Sequence, residues 1–85
     1  MNFGEALVEV KNGRAVSRRG WNGSNQFVYL ISARDLQNGL GYGYGEYEGE
    51  PTFVDTLAMK TTHNKIQVGW LASQSDMLSD DWYIS

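Results

Sequence analysis

Phe3, Ala6, Leu7 and Val10 recur at the spacing of one helical face, while Glu5, Glu9 and Lys11 point elsewhere. Asn2, with Glu5 three residues on, reads as a capping pair, and Gly13 supplies a stop. The pattern predicts an amphipathic helix over 3–11. Residues 14–18 then alternate weakly around Val16 and suit a short strand. Gly20 and Asn22-Gly23 are turn formers. QFVYLIS, residues 26–32, is apolar on both faces and reads as a central strand.

The period changes again after the middle of the chain. Residues 53–60 resume as a strand with Phe53, Leu57 and Met59 on one face, interrupted by Asp55. Residues 61–64 form a turn in which Asn64 tolerates positive φ. Ile66, Val68 and Trp70 alternate with Lys65, Gln67 and Gly69, which predicts a return strand with its apolar side on the core and one wet face. Ser73, with Asp76 three residues later, starts a short helix through Leu78, and residues 81–84 fit a last edge strand. These elements make one α+β domain over 1–85. Its antiparallel sheet carries an N-terminal helix and a short C-terminal helix.

Between the two halves lies NGLGYGYGEYEGEP, residues 38–51, where glycine and tyrosine alternate with acids and no helical period appears. It contains neither G-x-G-x-x-G nor Gly-Lys-Ser/Thr, so it is not a phosphate loop. It reads as a loop or irregular hairpin arm; the other reading is a tyrosine-lined flap over a ligand. Glu46, Glu48 and Glu50 serve there to keep the arm soluble.

Composition narrows the functional classes. An 85-residue chain holds one modest core, and without cysteine no disulfide or thiolate site reinforces it. Oligomerisation is the remaining source of stability. No signal sequence or membrane span is visible, so a cytoplasmic protein is expected. The net charge of −3 argues against duplex nucleic acid. Charge is uneven, however: residues 1–45 hold five Lys or Arg against three acids, and residues 46–85 two against seven. Lys11, Arg14, Arg18 and Arg19 therefore form a local cationic patch.

Catalytic chemistry is poorly supplied. His63 falls in an exposed turn, and no nucleophile has a second histidine to activate it. Asp80-Asp81 lacks a third ligand for a cation, and no cofactor is expected. Aromatic residues are abundant: three tryptophans, five tyrosines and three phenylalanines. Trp70 reads as core, and Trp82, on an edge strand, as core or subunit contact. Trp21, in SRRGWNG, either plugs the seam between helix and sheet or stacks a ligand base beside the guanidinium of Arg18 or Arg19. The residues alone leave that choice even.

MNFGEALVEVKNGRAVSRRGWNG resembles the opening of a phage-encoded family: a Phe-x-Glu-Ala-Leu helix, a glycine, a basic strand, then Arg-x-Gly-Trp-Asn. LAMKTTHNKI and WLASQSDMLSDDW are similar to its second half, Ala-Met-Lys-Thr, a turn, then Trp-Leu-x-Ser-Gln-x-Asp-x-Leu-x-x-Asp-Trp. The resemblance covers both ends, about two thirds of the chain. It points to the phage Thoeris anti-defence proteins, a former domain-of-unknown-function family acting as sponges for immune signalling nucleotides. It implies sequestration, without cleavage, of glycocyclic ADP-ribose isomers made by bacterial Toll/interleukin-receptor domain enzymes. In some members it extends to cyclic di- or trinucleotides at a separate site, and so to CBASS-type immunity.

The same resemblance implies action in the cytoplasm of the infected host, and assembly as homodimers or hexamers with pockets at subunit interfaces. Carried over position by position, it implies ligand contacts from Arg18 or Arg19 with Trp21, from Lys60 and Thr61, and from Gln74 and Asp76. Phe53 is added as a base-stacking residue and Asn64 as a turn hydrogen-bonding group. Cations would hold the pyrophosphate, aromatics the adenine, and amide and carboxylate the ribose hydroxyls. The chain departs from the pattern at Gly69, where proline is common, and in the arm at 39–49. An enzyme degrading such a signal lacks a catalytic constellation here. A small phage structural or partner-binding protein, its aromatics building oligomer contacts, is the alternative.

Overall fold

A computed structural model describes residues 1–39 and 52–85. Five strands form one antiparallel sheet in the order β4-β3-β2-β1-β5, with β1 Val16–Arg18, β2 Phe27–Ile31, β3 Thr56–Lys60, β4 Ile66–Val68 and β5 Trp82–Ile84. Three helices accompany it: α1 Phe3–Lys11, α2 Ala33–Gly39 and α3 Gln74–Leu78. The α+β architecture with β2 at the centre follows the sequence pattern. The strands are shorter than the pattern suggests, since Arg14, Gln26, Phe53 and Trp70 lie outside them.

Both predicted helix starts are closed by capping boxes. Asn2 Oδ1 accepts from the Glu5 amide at 2.8 Å while Glu5 accepts from the Asn2 amide at 2.9 Å. Ser73 and Asp76 do the same for α3, at 3.1 and 3.0 Å. The sequence reading missed α2. Its signal is Ser32, whose hydroxyl accepts from the Asp35 amide at 3.1 Å, and it is obscured by the glycine-rich run that follows. Asp55 Oδ1 accepts from the Ala33 amide at 2.8 Å, so this residue ties the start of α2 to the approach to β3. Asn38 and Gly39 end α2 rather than open a loop. The remainder of the expected arm, residues 40–51 with Glu46, Glu48 and Glu50, lies outside the described residues.

Register decides which side of the sheet is core. Val28 pairs with both Val16 and Met59, and Leu30 pairs with Leu57, so these five share one face. Helix α1 packs on that face against β1, β2 and β5. Ala6, Val10, Val16, Val28 and Trp82 are buried there, with Phe3, Trp21, Leu57, Met59 and Trp70 packed around them.

One expectation fails here. Val68 pairs with Ala58 and Ile66 with Lys60, which puts both β4 residues on the opposite face, with Phe27 and Tyr29. Ile66 and Val68 are 53% and 52% exposed, instead of joining Leu57 and Met59 in the core. The alternation was correctly read, but alternation does not say which face is inside. Trp70 reaches the core by another route. Gly69 leaves the strand at φ +91°, and the Gly69 and Trp70 amides both donate to Leu57 O at 2.9 Å. Proline, locked near φ −65°, could not occupy that position in this conformation.

Candidate functional site

Strand β1 ends at Arg18, and the chain crosses to β2 through residues 19–26. Local chemistry shapes this crossing. Asn25 adopts φ +60°, and Lys60 Nζ donates to its carbonyl at 2.8 Å. Buried Ser17 donates to Gln26 O at 2.5 Å, closing the base of the loop. Gly23 lies against the β3–β4 hairpin so closely that a β-carbon there would overlap Thr62 Oγ1 and the Gln26 amide.

The crossing encloses a surface cavity of about 330 Å³, lined by Ser17, Arg18, Arg19, Trp21, residues 23–26 and Tyr83. Arg19 and Tyr83 form its outer side, with the guanidinium carbon 5.0 Å from the ring centroid. Among the described residues Arg19 has no carboxylate partner, so its charge is available to an anion.

Arg18 is differently engaged. Its NH1 donates to Asp76 Oδ1 at 2.7 Å, and its Nε donates to Asp81 Oδ1 at 2.8 Å. Only 12% of its side chain is exposed. Asp81 Oδ2 also accepts from the Gly20 amide at 2.8 Å. The Arg18 hydrogen bond, aided by that amide, holds the Asp81 carboxyl below its ordinary range. Burial pushes the Asp76 carboxyl up, but hydrogen bonds from Trp21, Arg18 and Ser73 outweigh it and bring the pKa down to about 2. The one arginine thus faces two carboxylates, and its charge is spent inside the protein.

Trp21 takes the seam-plugging place, one of the two readings open from the sequence, and also borders the cavity. Its ring packs edge-on against Trp82 and Trp70, with centroids 5.3 and 6.3 Å away. Its Nε1 donates to Asp76 Oδ1 at 3.0 Å. Half-buried, it plugs the seam and also lines the cavity.

The structure distributes the nine predicted ligand residues unevenly. Arg18, Arg19 and Trp21 line the cavity, and Asp76 stands directly behind two of them. Lys60 holds the loop from outside. Thr61 and Asn64 build the hairpin turn, where Asn64 takes φ +60° and its amide donates to Thr61 O. Gln74 is exposed at the start of α3, and Phe53 is half-buried ahead of β3; neither lines this cavity. Sequence reasoning missed Tyr83, residues 23–26 and the role of Asp81. Only Asp81 left a sequence signal, as the penultimate residue of the Asp-Trp motif. His63 is exposed in the hairpin turn, and no cluster of metal-ligating side chains occurs among the described residues. No helix among them is long and apolar enough to cross a membrane.

Thoeris anti-defense 2 of Bacillus phage SP01 is 48% identical over 84 residues, covering 99% of this chain and 93% of that protein. The sequence profile of the Thoeris anti-defense 2-like domain matches residues 1–85. With its whole length matched, the chain belongs to the Thoeris anti-defense 2-like family and has a Thoeris anti-defence role.

Proposed function

We propose that the protein counters Thoeris immunity by binding and sequestering a cyclic ADP-ribose-type signalling nucleotide without cleaving it. The observation that carries this reading is the 330 Å³ cavity in which Arg19, a guanidinium with no carboxylate partner among the described residues, lies beside the aromatic surfaces of Trp21 and Tyr83. A cation for phosphate and ring faces for a base are what such a ligand requires. Volumes of this order suit a small ligand. Arg19 is the phosphate ligand in this reading, and Arg18 is part of the frame. Cyclic di- or trinucleotides are further ligands of the same class.

The protein acts as a homo-oligomer. An 85-residue chain with its apolar Ile66 and Val68 half exposed gains stability when a second copy covers that face. Ser17 and Tyr83 are cross-strand partners at the cavity on β1 and β5, on the same face as Phe27 and Tyr29, so the second copy also supplies an outer wall for the ligand.

The test is a release assay. The protein is incubated with a glycocyclic ADP-ribose isomer, free ligand is measured, and the protein is then denatured and ligand measured again. Sequestration lowers free ligand in proportion to protein and returns it intact. Product formed at substoichiometric protein would show an enzyme instead. Free ligand unchanged throughout would leave the partner-binding alternative.

A further inference from the structure

We propose that Asp76, assisted by Asp81, is a positioning residue that sets the wall of the cavity and does not itself touch the ligand. The inference rests on the binding reading above and reassigns a residue that the family pattern would put among the ligand contacts.

Arg18 ends β1, but the residues that follow it sit on irregular backbone. Trp21 belongs to the crossing between β1 and β2, and among the described residues its amide reaches only Arg18 O, at 3.4 Å. Such a segment does not by itself fix an indole. Its ring is located from the far end of the chain, by Trp70, Trp82 and the Asp76 carboxylate. Arg18 is located in the same way, by Asp76 on α3 and by Asp81 just before β5. Asp81 fixes the next bend too, through the Gly20 amide. Two carboxylates therefore hold two residues of the cavity wall, Arg18 and Trp21, and the bend at Gly20 between them.

Asp76 has little left to offer a ribose. It is 8% exposed. Its oxygens accept from Arg18, from Trp21 and from the Ser73 amide. A carboxylate has about four acceptor sites, so three are occupied by protein donors. The capping box fixes the carboxylate in turn, with the Ser73 hydroxyl accepting from the Asp76 amide. The chain of cause runs from the start of α3, through Asp76, to the indole and guanidinium at the cavity.

Asp76→Asn and Ser73→Ala separate positioning from general stability. Both weaken α3, but only Asp76→Asn removes the charge that holds Arg18 and Trp21. Binding of the glycocyclic ADP-ribose isomer is measured by calorimetry at a temperature where each variant is folded. The Trp21 indole N–H resonance is followed in the same samples. The expected result is an affinity loss of about tenfold or more in Asp76→Asn, about 1.4 kcal/mol, with the indole resonance shifted. Ser73→Ala should remain within about threefold of the parent. If Asp76→Asn does not fold, Asp81→Asn is read in its place: it leaves the α3 cap and the Trp21 bond intact and tests the hold on Arg18 and Gly20.

Parent-like affinity in folded Asp76→Asn, or in Asp81→Asn where that variant is the one read, overturns the positioning role and leaves sequestration standing. Equal affinity losses in Asp76→Asn and Ser73→Ala also overturn it. A parent protein that binds no cyclic ADP-ribose isomer removes the binding reading and this inference together.

Discussion

Trp21 Nε1 donates to Asp76 Oδ1 at 3.0 Å across 55 residues of chain, and Arg18 NH1 meets the same oxygen at 2.7 Å. The shared acceptor joins the first functional motif of the sequence to the last. It also separates two adjacent arginines that look equivalent on paper.

Arg18→Ala and Arg19→Ala should therefore differ in kind. Removing Arg18 leaves the nearly buried Asp76 without its cation and should cost roughly 2–3 kcal/mol of folding stability. Removing Arg19, whose side chain faces the cavity, should leave stability close to the parent's. It should instead cost about 1.5–3 kcal/mol of ligand affinity through a lost charge-assisted hydrogen bond. Thermal melts and binding titrations on both variants check this; equal melting temperatures would contradict the division.

Acid should expose the Asp76 contribution. Its pKa falls from 3.8 to about 2 on folding, so the stabilisation is fully present above about pH 4 and disappears as pH drops through about 2. Allowing for solvent screening, the loss is on the order of 1–2 kcal/mol. Asp81, also lowered, changes stability in the same direction. Urea unfolding between about pH 5 and pH 2.5 should show parent stability declining, and Asp76→Asn should show a shallower decline.

Gly20→Ala tests the close approach of Asp81. A β-carbon at Gly20 would stand 2.7 Å from Asp81 Oδ2 and 3.1 Å from Arg18 NH2. Asp81 must then turn away, giving up its bonds to Arg18 and to the Gly20 amide. The melting temperature should fall, by less than in Arg18→Ala because Asp76 still holds the guanidinium, and ligand affinity should fall with it. A melting temperature equal to the parent's would show that Asp81 can relax without loss.

The exposed face of β4 can be tested by charge. Ile66→Lys with Val68→Lys places two ammonium groups on residues already half exposed, so the monomer fold should lose little. Sedimentation should show a larger species for the parent and a monomer for the double variant. The same size for both proteins would remove this face from the assembly.

Much of the fold was legible because its signals are local. The helix over 3–11, the Ser73–Asp76 cap, the positive φ of Asn64 and the central position of β2 each follow from neighbouring residues. The resemblance carried by SRRGWNG, MKTT and WLASQSDM is matched over the whole chain. What these signals lack is direction. The alternation in β4 fixed a period but not a face, and α2 began on a modest cap just before a glycine-rich run that reads as loop.

By itself, the sequence determined the elements other than α2, their order and the family, because capping, periodicity and motif spacing act over a few residues. The tertiary structure alone decided what each motif residue does. Hydrogen-bond acceptors 55 and 63 positions away, at Asp76 and Asp81, committed Trp21 and Arg18 to the frame. Strand register, a long-range property, put Ile66 and Val68 on the outer face. Arg19 was left beside Tyr83 at the cavity with no carboxylate partner among the described residues, a distinction that no pair of adjacent arginines carries in its sequence.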